Sequence, residues 1–227
     1  MLLLTLVALA CAGVGVLAYL SHRRTVARRE TLFMFAVSRG WDFTVADSSL
    51  AGRWAGTPFG QGEKRRVTNV IRGTSEGRTL TAFDYEFVTT SSSNGGRDSS
   101  TQRFAVVVLG MPAYLPTLEV VPETVADRVA SAVGVARDID LESEDFNRKF
   151  RVAAANPKLA SDVLTPRTMD LLIARPALAF RTQGSDIVSW APGTIDPVEV
   201  LMRASTLDAV LGGVPGFVWR DHGATAG

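Results

Sequence analysis

One cysteine and two histidines occur in 227 residues. A single cysteine excludes a disulfide framework and a cysteine-based zinc cluster. Two histidines leave little for histidine-dependent catalysis. Lysine is scarce as well, with three residues against 21 arginines. With abundant Ala, Val and Gly, that bias reads as the imprint of a GC-rich genome rather than of function. Neither sign of charge dominates: the net charge is +1, which gives no footprint for nucleic acid. Hydrophobic residues at 46% and charged residues at 21% exclude wholesale disorder. The length suffices for one sizeable core, and no repeat of fixed period is visible.

Motifs that would carry chemistry fail where their geometry is strictest. HExxH and GxSxG do not occur. Asp138-x-Asp140-x-Glu142-Ser143-Glu144 invites a calcium-loop reading, but Ser143 and Lys149 stand where an EF-hand needs glycine and glutamate. A solvated strand edge running into a turn is expected there. The loop from Gly56 to Gly62 is glycine-rich, yet Glu63-Lys64 follows it and leads into a strand, so a structural turn is expected rather than a phosphate loop. Cys11 falls in an apolar run, His22 flanks it and His222 lies near the C-terminus, so no catalytic triad has a rigid support. Asp84 and Glu86 share a strand face and read as surface charge. Trp41, Trp54, Phe83, Tyr85, Phe87, Trp190 and Trp219 are spaced as strand residues and read as core rather than as a ligand cleft. The sequence assigns no catalytic, cofactor-binding or metal-ligating residue and implies no cofactor.

What is present is a long apolar run at the start. Leu2 to Leu20 carries no charge, and nineteen helical residues span about 28 Å, close to the hydrocarbon thickness of a bilayer. A cleaved signal peptide is the rival reading. No basic segment precedes Leu2, and the apolar run continues past the small triplets at Ala8-Leu9-Ala10 and Ala10-Cys11-Ala12. A lipoprotein signal at Cys11 has the same defects. Arg23, Arg24, Arg28 and Arg29 all follow the run, so the positive-inside rule places the N-terminus outside and the C-terminal domain in the cytoplasm. A topology signal is the simplest role for these four arginines. Contact with anionic lipid headgroups, at about 1 kcal/mol each, is a second one. Without residues 1–30 the chain holds 20 basic and 22 acidic residues, a net of −2.

The patterning divides the chain into a transmembrane helix at 1–21, a basic juxtamembrane helix at 22–40, one α+β domain at 41–220 and a flexible tail at 221–227. Gly40 is the expected stop of the juxtamembrane helix. Strands are expected at 41–45, 65–72, 79–88, 102–109 and 117–121. The polar stretch 89–101, rich in serine and glycine, reads as a long, mobile hairpin tip, which makes its flanking strands antiparallel. Further on, a helix is expected at 122–133, a strand at 146–152, and helices launched by Asn156-Pro157, Thr165-Pro166 and Asp196-Pro197. A hairpin is expected between 178–182 and 187–190, turning at Gln183-Gly184-Ser185. The apolar segment 214–220 is expected to dock onto the domain. The class is α+β with a mostly antiparallel sheet and several short helices.

The segments Asp138-Ile139-Asp140-Leu141-Glu142-Ser143, Phe146-Asn147-Arg148-Lys149-Phe150-Arg151-Val152, Leu164-Thr165-Pro166-Arg167-Thr168-Met169 and Val214-Pro215-Gly216-Phe217-Val218-Trp219 resemble a group of uncharacterised actinobacterial membrane-anchored proteins. The resemblance covers most of the soluble part and implies an anchor followed by one globular domain. It implies no activity, cofactor or catalytic residue. The expected function is a non-catalytic binding or scaffolding module at the membrane, with a protein partner. An enzyme using carboxylates and arginines alone, or an exported domain contacting cell-wall components, are the alternatives.

Overall fold

The structure, a computed structural model, describes residues 2–93, 96–123, 137–175 and 178–223. Side chains are described for these except 2–15, 17, 18, 92, 93, 96, 97, 137 and 138. Helix α1 runs unbroken over Leu2–Ser38 and contains no proline. It stops where Gly40 adopts a left-handed φ of 68° and Trp41 returns its N–H to the Ala36 carbonyl. From Ser21 to Ala27 the helix is exposed. From Arg28 onward it lies against the domain, and Leu32 and Ala36 are buried in the core. Among the described residues no helix is long and apolar enough to cross a membrane. Of the expected span Leu2 to Leu20, only Val16, Tyr19 and Leu20 have described side chains, and all three are exposed.

Strands β1 (Asp42–Ala46), β2 (Glu63–Ser75), β3 (Arg78–Ser93) and β4 (Gly96–Leu115) form a meander. With β5 (Leu118–Pro122), β6 (Arg137–Asp138), β7 (Phe150–Ala154) and β8 (Ala179–Pro192) they make one sheet in the order β1-β2-β3-β4-β8-β5-β7-β6. Every pairing is antiparallel. The mixed α+β class and the antiparallel sheet are as the sequence leads one to expect.

Three expectations are corrected. The stretch 89–101 does not lie outside the ladder: β3 and β4 stay in register from Val88↔Thr101 out to Ser93↔Gly96, and the tip at 94–95 lies outside the described residues. Threonine suits a strand, and a backbone ladder needs no apolar face to persist. The Gln183-Gly184-Ser185 segment does not reverse the chain. Gly184, at a φ of 65°, bends one continuous strand, which pairs with β5 through Phe180 and Arg181 and with β4 from Gly184 onward. The expected strand at 146–152 begins instead with α2 (Glu144–Asn147), capped by Ser143, and only Phe150 opens β7. The Asn147 side chain grips both the N–H and the carbonyl of Leu141 and holds that turn in place. The helix expected at 122–133 falls outside the described residues except at its start, where Pro122 ends β5 and Glu123 is helical.

Helices α3 (Pro157–Val163), α4 (Pro166–Ala174) and α5 (Pro197–Gly213) begin where expected. Asn156, Thr165 and Asp196 cap free N–H groups, and proline takes the first turn of each. The C-terminal segment docks through Val214 and through Val218 of α6 (Gly216–Asp221). The helices share one face of the sheet with α1. There Ile71, Leu80, Ala82 and Val107 meet Leu32, Ala204 and Leu207. The opposite face carries an aromatic core of Trp54, Phe59, Phe83, Tyr85, Phe87 and Trp190, closed by the segment 48–62. Trp54 stacks on Phe83 with ring centroids 5.5 Å apart.

Leu32 is the main apolar anchor of α1 on the domain, at 1% exposed. Leu32→Ala is expected to cost about 2–5 kcal/mol in urea unfolding. Met34→Ala, two positions away and 57% exposed, should stay within about 0.5 kcal/mol.

Candidate functional site

Strand alternation sends Phe83, Tyr85 and Phe87 into the aromatic core and turns Asp84 and Glu86 to the other face, beneath α1. This corrects the reading of Asp84 as surface charge, because the residue is 6% exposed. A buried carboxylate needs its charge and lone pairs answered, and here each oxygen accepts twice. Arg28 donates through Nη1 and Nη2 at 2.8 and 2.9 Å. Asn69 Nδ2 and the Ile195 backbone N–H each donate at 2.7 Å. Arg28 Nη2 also reaches the Ile195 carbonyl at 2.8 Å. Asn69 gets there through a bulge: between Thr68 and Ile71 the β2–β3 register slips, and Asn69 takes a φ of 52°, which asparagine tolerates better than most residues.

Beside this cluster a groove of about 590 Å³ opens between α1 and the sheet. Arg24, Arg28 and Arg29 line it from the helix, and Asp84, Glu86 and Arg103 from the strands. Glu86 is a partly exposed carboxylate, approached by Arg103 at 3.4 Å and Arg66 at 3.9 Å. Arg29 Nε reaches Asn69 Oδ1 at 3.4 Å. Arg23 is exposed on the helix and does not line the groove.

The glycine-rich loop 56–62 is a structural turn, and its carbonyls face a cation. Arg181 of β8 donates to the carbonyls of Ala55 and Thr57 and pairs with Glu119 of β5. Its guanidinium lies over Trp190 at 4.9 Å. Both charges are buried, at 3% and 6% exposed. A side chain at Gly56 would collide with that guanidinium. A second buried arginine, Arg203 of α5, pairs with Glu199 one turn earlier. Burial pulls its pKa below the usual arginine value, and Glu199 opposes that shift. Burial likewise raises the Tyr85 hydroxyl above its ordinary pKa, partly offset by the Gly60 backbone and by Arg65.

The aromatics enter the core, with Trp41 and Trp219 only at its margin. Glu144 and Asp145 sit in the first turn of α2. Among the described residues no three His, Cys, Asp or Glu side chains gather as metal ligands would. His22 is exposed on α1, and His222 ends α6. Sequence reasoning missed the ion pair of Glu119 and Arg181. Its signal was a charge inside each of two apolar strands, 118–121 and 178–182.

No family model matches the chain, and no curated protein matches it. Among solved structures, the crystal structure of the mycobacterial trehalose monomycolate transport factor A, TtfA, is similar. The TM-score is 0.56 at 14% identity, over 82% of this chain and 96% of that one. The similarity extends to the fold alone.

Two substitution sets test the buried charges in urea unfolding. Arg28→Ala leaves the Asp84 carboxylate without its cation and is expected to cost about 3 kcal/mol, whereas Arg66→Ala at an exposed pair should cost under about 0.5 kcal/mol. Arg181→Met alone is expected to cost about 3–5 kcal/mol, and adding Glu119→Leu should recover most of that loss.

Proposed function

We propose that the protein is a membrane-anchored accessory module, held by Leu2 to Leu20, whose α+β domain binds or scaffolds a partner without catalysis on the cytoplasmic side. The carrying observation is the continuity of α1. The apolar run and the segment that packs into the core belong to one helix, with no break between Leu20 and Ser38. A domain joined in this way is carried at a set distance from the bilayer rather than on a flexible tether. Arg23, Arg24, Arg28 and Arg29 follow the apolar run, which supports a cytoplasmic domain. The neighbour with a similar fold is named as a transport factor for trehalose monomycolate. That name supports an accessory role beside the movement of an envelope lipid.

The test is membrane retention together with topology. After a carbonate wash the full chain is expected in the membrane pellet, and its release into the supernatant would remove the anchor from this reading. Ser99 is exposed on β4, so Ser99→Cys supplies a reporter for a membrane-impermeant maleimide. Labelling is expected only after cell lysis, with Cys11 silent inside the bilayer. Labelling of intact cells would reverse the topology and favour an exported domain that contacts cell-wall components.

A further inference from the structure

The groove between α1 and the sheet holds more positive charge than its own acids neutralise. Arg28 is committed to Asp84, and Arg103 shares Glu86 with Arg66. Arg24 and Arg29 add two guanidiniums to the lining, and no acid among the described residues pairs with either. This surplus is local, since the chain beyond residue 30 is net acidic. The groove, at about 590 Å³, has the size of a small-ligand site. Thr68 and Thr194 also line it.

The geometry points to a binding site for a phosphate-bearing anion, held by Arg24 and Arg29 with Arg103 at the rim. A guanidinium presents paired N–H donors that match phosphate oxygens, so two that no acid neutralises, in one groove, select for that chemistry. The groove lies where α1 leaves the domain toward the apolar run. Resting on the anchored reading, the phosphate is that of an anionic lipid headgroup at the inner surface. A soluble phosphate compound would present the same group. Arg28, with its guanidinium on Asp84, is structural in this assignment. Arg23, outside the groove, is a control of equal charge.

The test uses the purified full chain in a neutral detergent, titrated by calorimetry with dioctanoyl phosphatidylglycerol, dioctanoyl phosphatidylcholine and glycerol phosphate. Phosphatidylglycerol is expected to bind, with phosphatidylcholine at least tenfold weaker. Arg24→Ala and Arg29→Ala should each weaken binding about fivefold, the effect of one arginine's worth of headgroup attraction, and Arg23→Ala should not. Glycerol phosphate binding as tightly as the lipid, with the same arginine dependence, would assign the site to a soluble phosphate compound. Equal losses for Arg23→Ala and Arg24→Ala would reduce the effect to general charge and overturn the site, as would no binding of any probe. Arg24 makes no hydrogen bond within the described domain, so its variant should keep the parent's unfolding midpoint and separate lost binding from lost folding. Detergent titration needs no bilayer insertion. A chain released by carbonate yet binding through Arg24 and Arg29 would therefore sink the anchor and leave the site standing.

Discussion

The carboxylate of Asp84 is a constraint to which three separate parts of the chain answer. It sits in the middle of β3, under a helix, where an unanswered charge would be strongly destabilising. Four donated hydrogen bonds resolve that, and they come from α1, from a bulge in β2 and from the turn that precedes α5. None of these three segments can shift by much more than an ångström without stranding the charge, because hydrogen bonds weaken steeply with distance and angle. The seat of α1, the left-handed backbone at Asn69 and the path of the chain at Ile195 are therefore one arrangement. Apolar contact through Leu32 and Ala36 supplies affinity between helix and sheet. Asp84 supplies the register, since apolar packing alone tolerates sliding.

The second buried pair follows the same logic on the other face of the sheet. Arg181 and Glu119 sit on neighbouring strands at the place where β8 passes from β5 to β4. The arginine also gathers the carbonyls of Ala55 and Thr57, so the segment that closes the aromatic core is tied to the centre of the sheet. Glycine at position 56 leaves the space for this approach. Each face is thus closed by a covering element that packs through apolar side chains and is positioned by one buried charge. In both cases the arginine's planar set of donors lets it satisfy a carboxylate and a backbone carbonyl at once.

Much of the scaffold was legible in the sequence because local chemistry decided it. Three helices start at an Asn, Thr or Asp followed by proline, and the stop of α1 sits at Gly40, since capping depends on a few adjacent residues. The meander of β1 to β4 followed from short apolar and alternating runs and from the polar turn between β3 and β4. What escaped was decided at long range. Gly184 looks the same in sequence whether it reverses a strand or bends it, and only the competing partners β4 and β5 settle which. The stretch 89–101 looked loose because it has no apolar face, yet its backbone ladder continues. Asp84 read as surface charge because nothing on its own strand reveals that Arg28, 56 residues earlier, is brought to it. The candidate site was legible only in half: the arginines of α1 stood out, whereas their division into one structural residue and a groove-lining set needed the fold.

A helix that runs unbroken from an apolar stretch to its seat on the domain behaves as a keyed shaft. Each residue advances an α-helix by about 1.5 Å and turns it by about 100°. The number of residues between Leu20 and Arg28 therefore sets both how far the domain stands from the apolar segment and how the domain is turned about the helix axis. Chain length in that short stretch is a compass setting. One residue more or fewer there would leave the core contacts of Leu32 and Ala36 intact and turn the domain by about 100° relative to the apolar run.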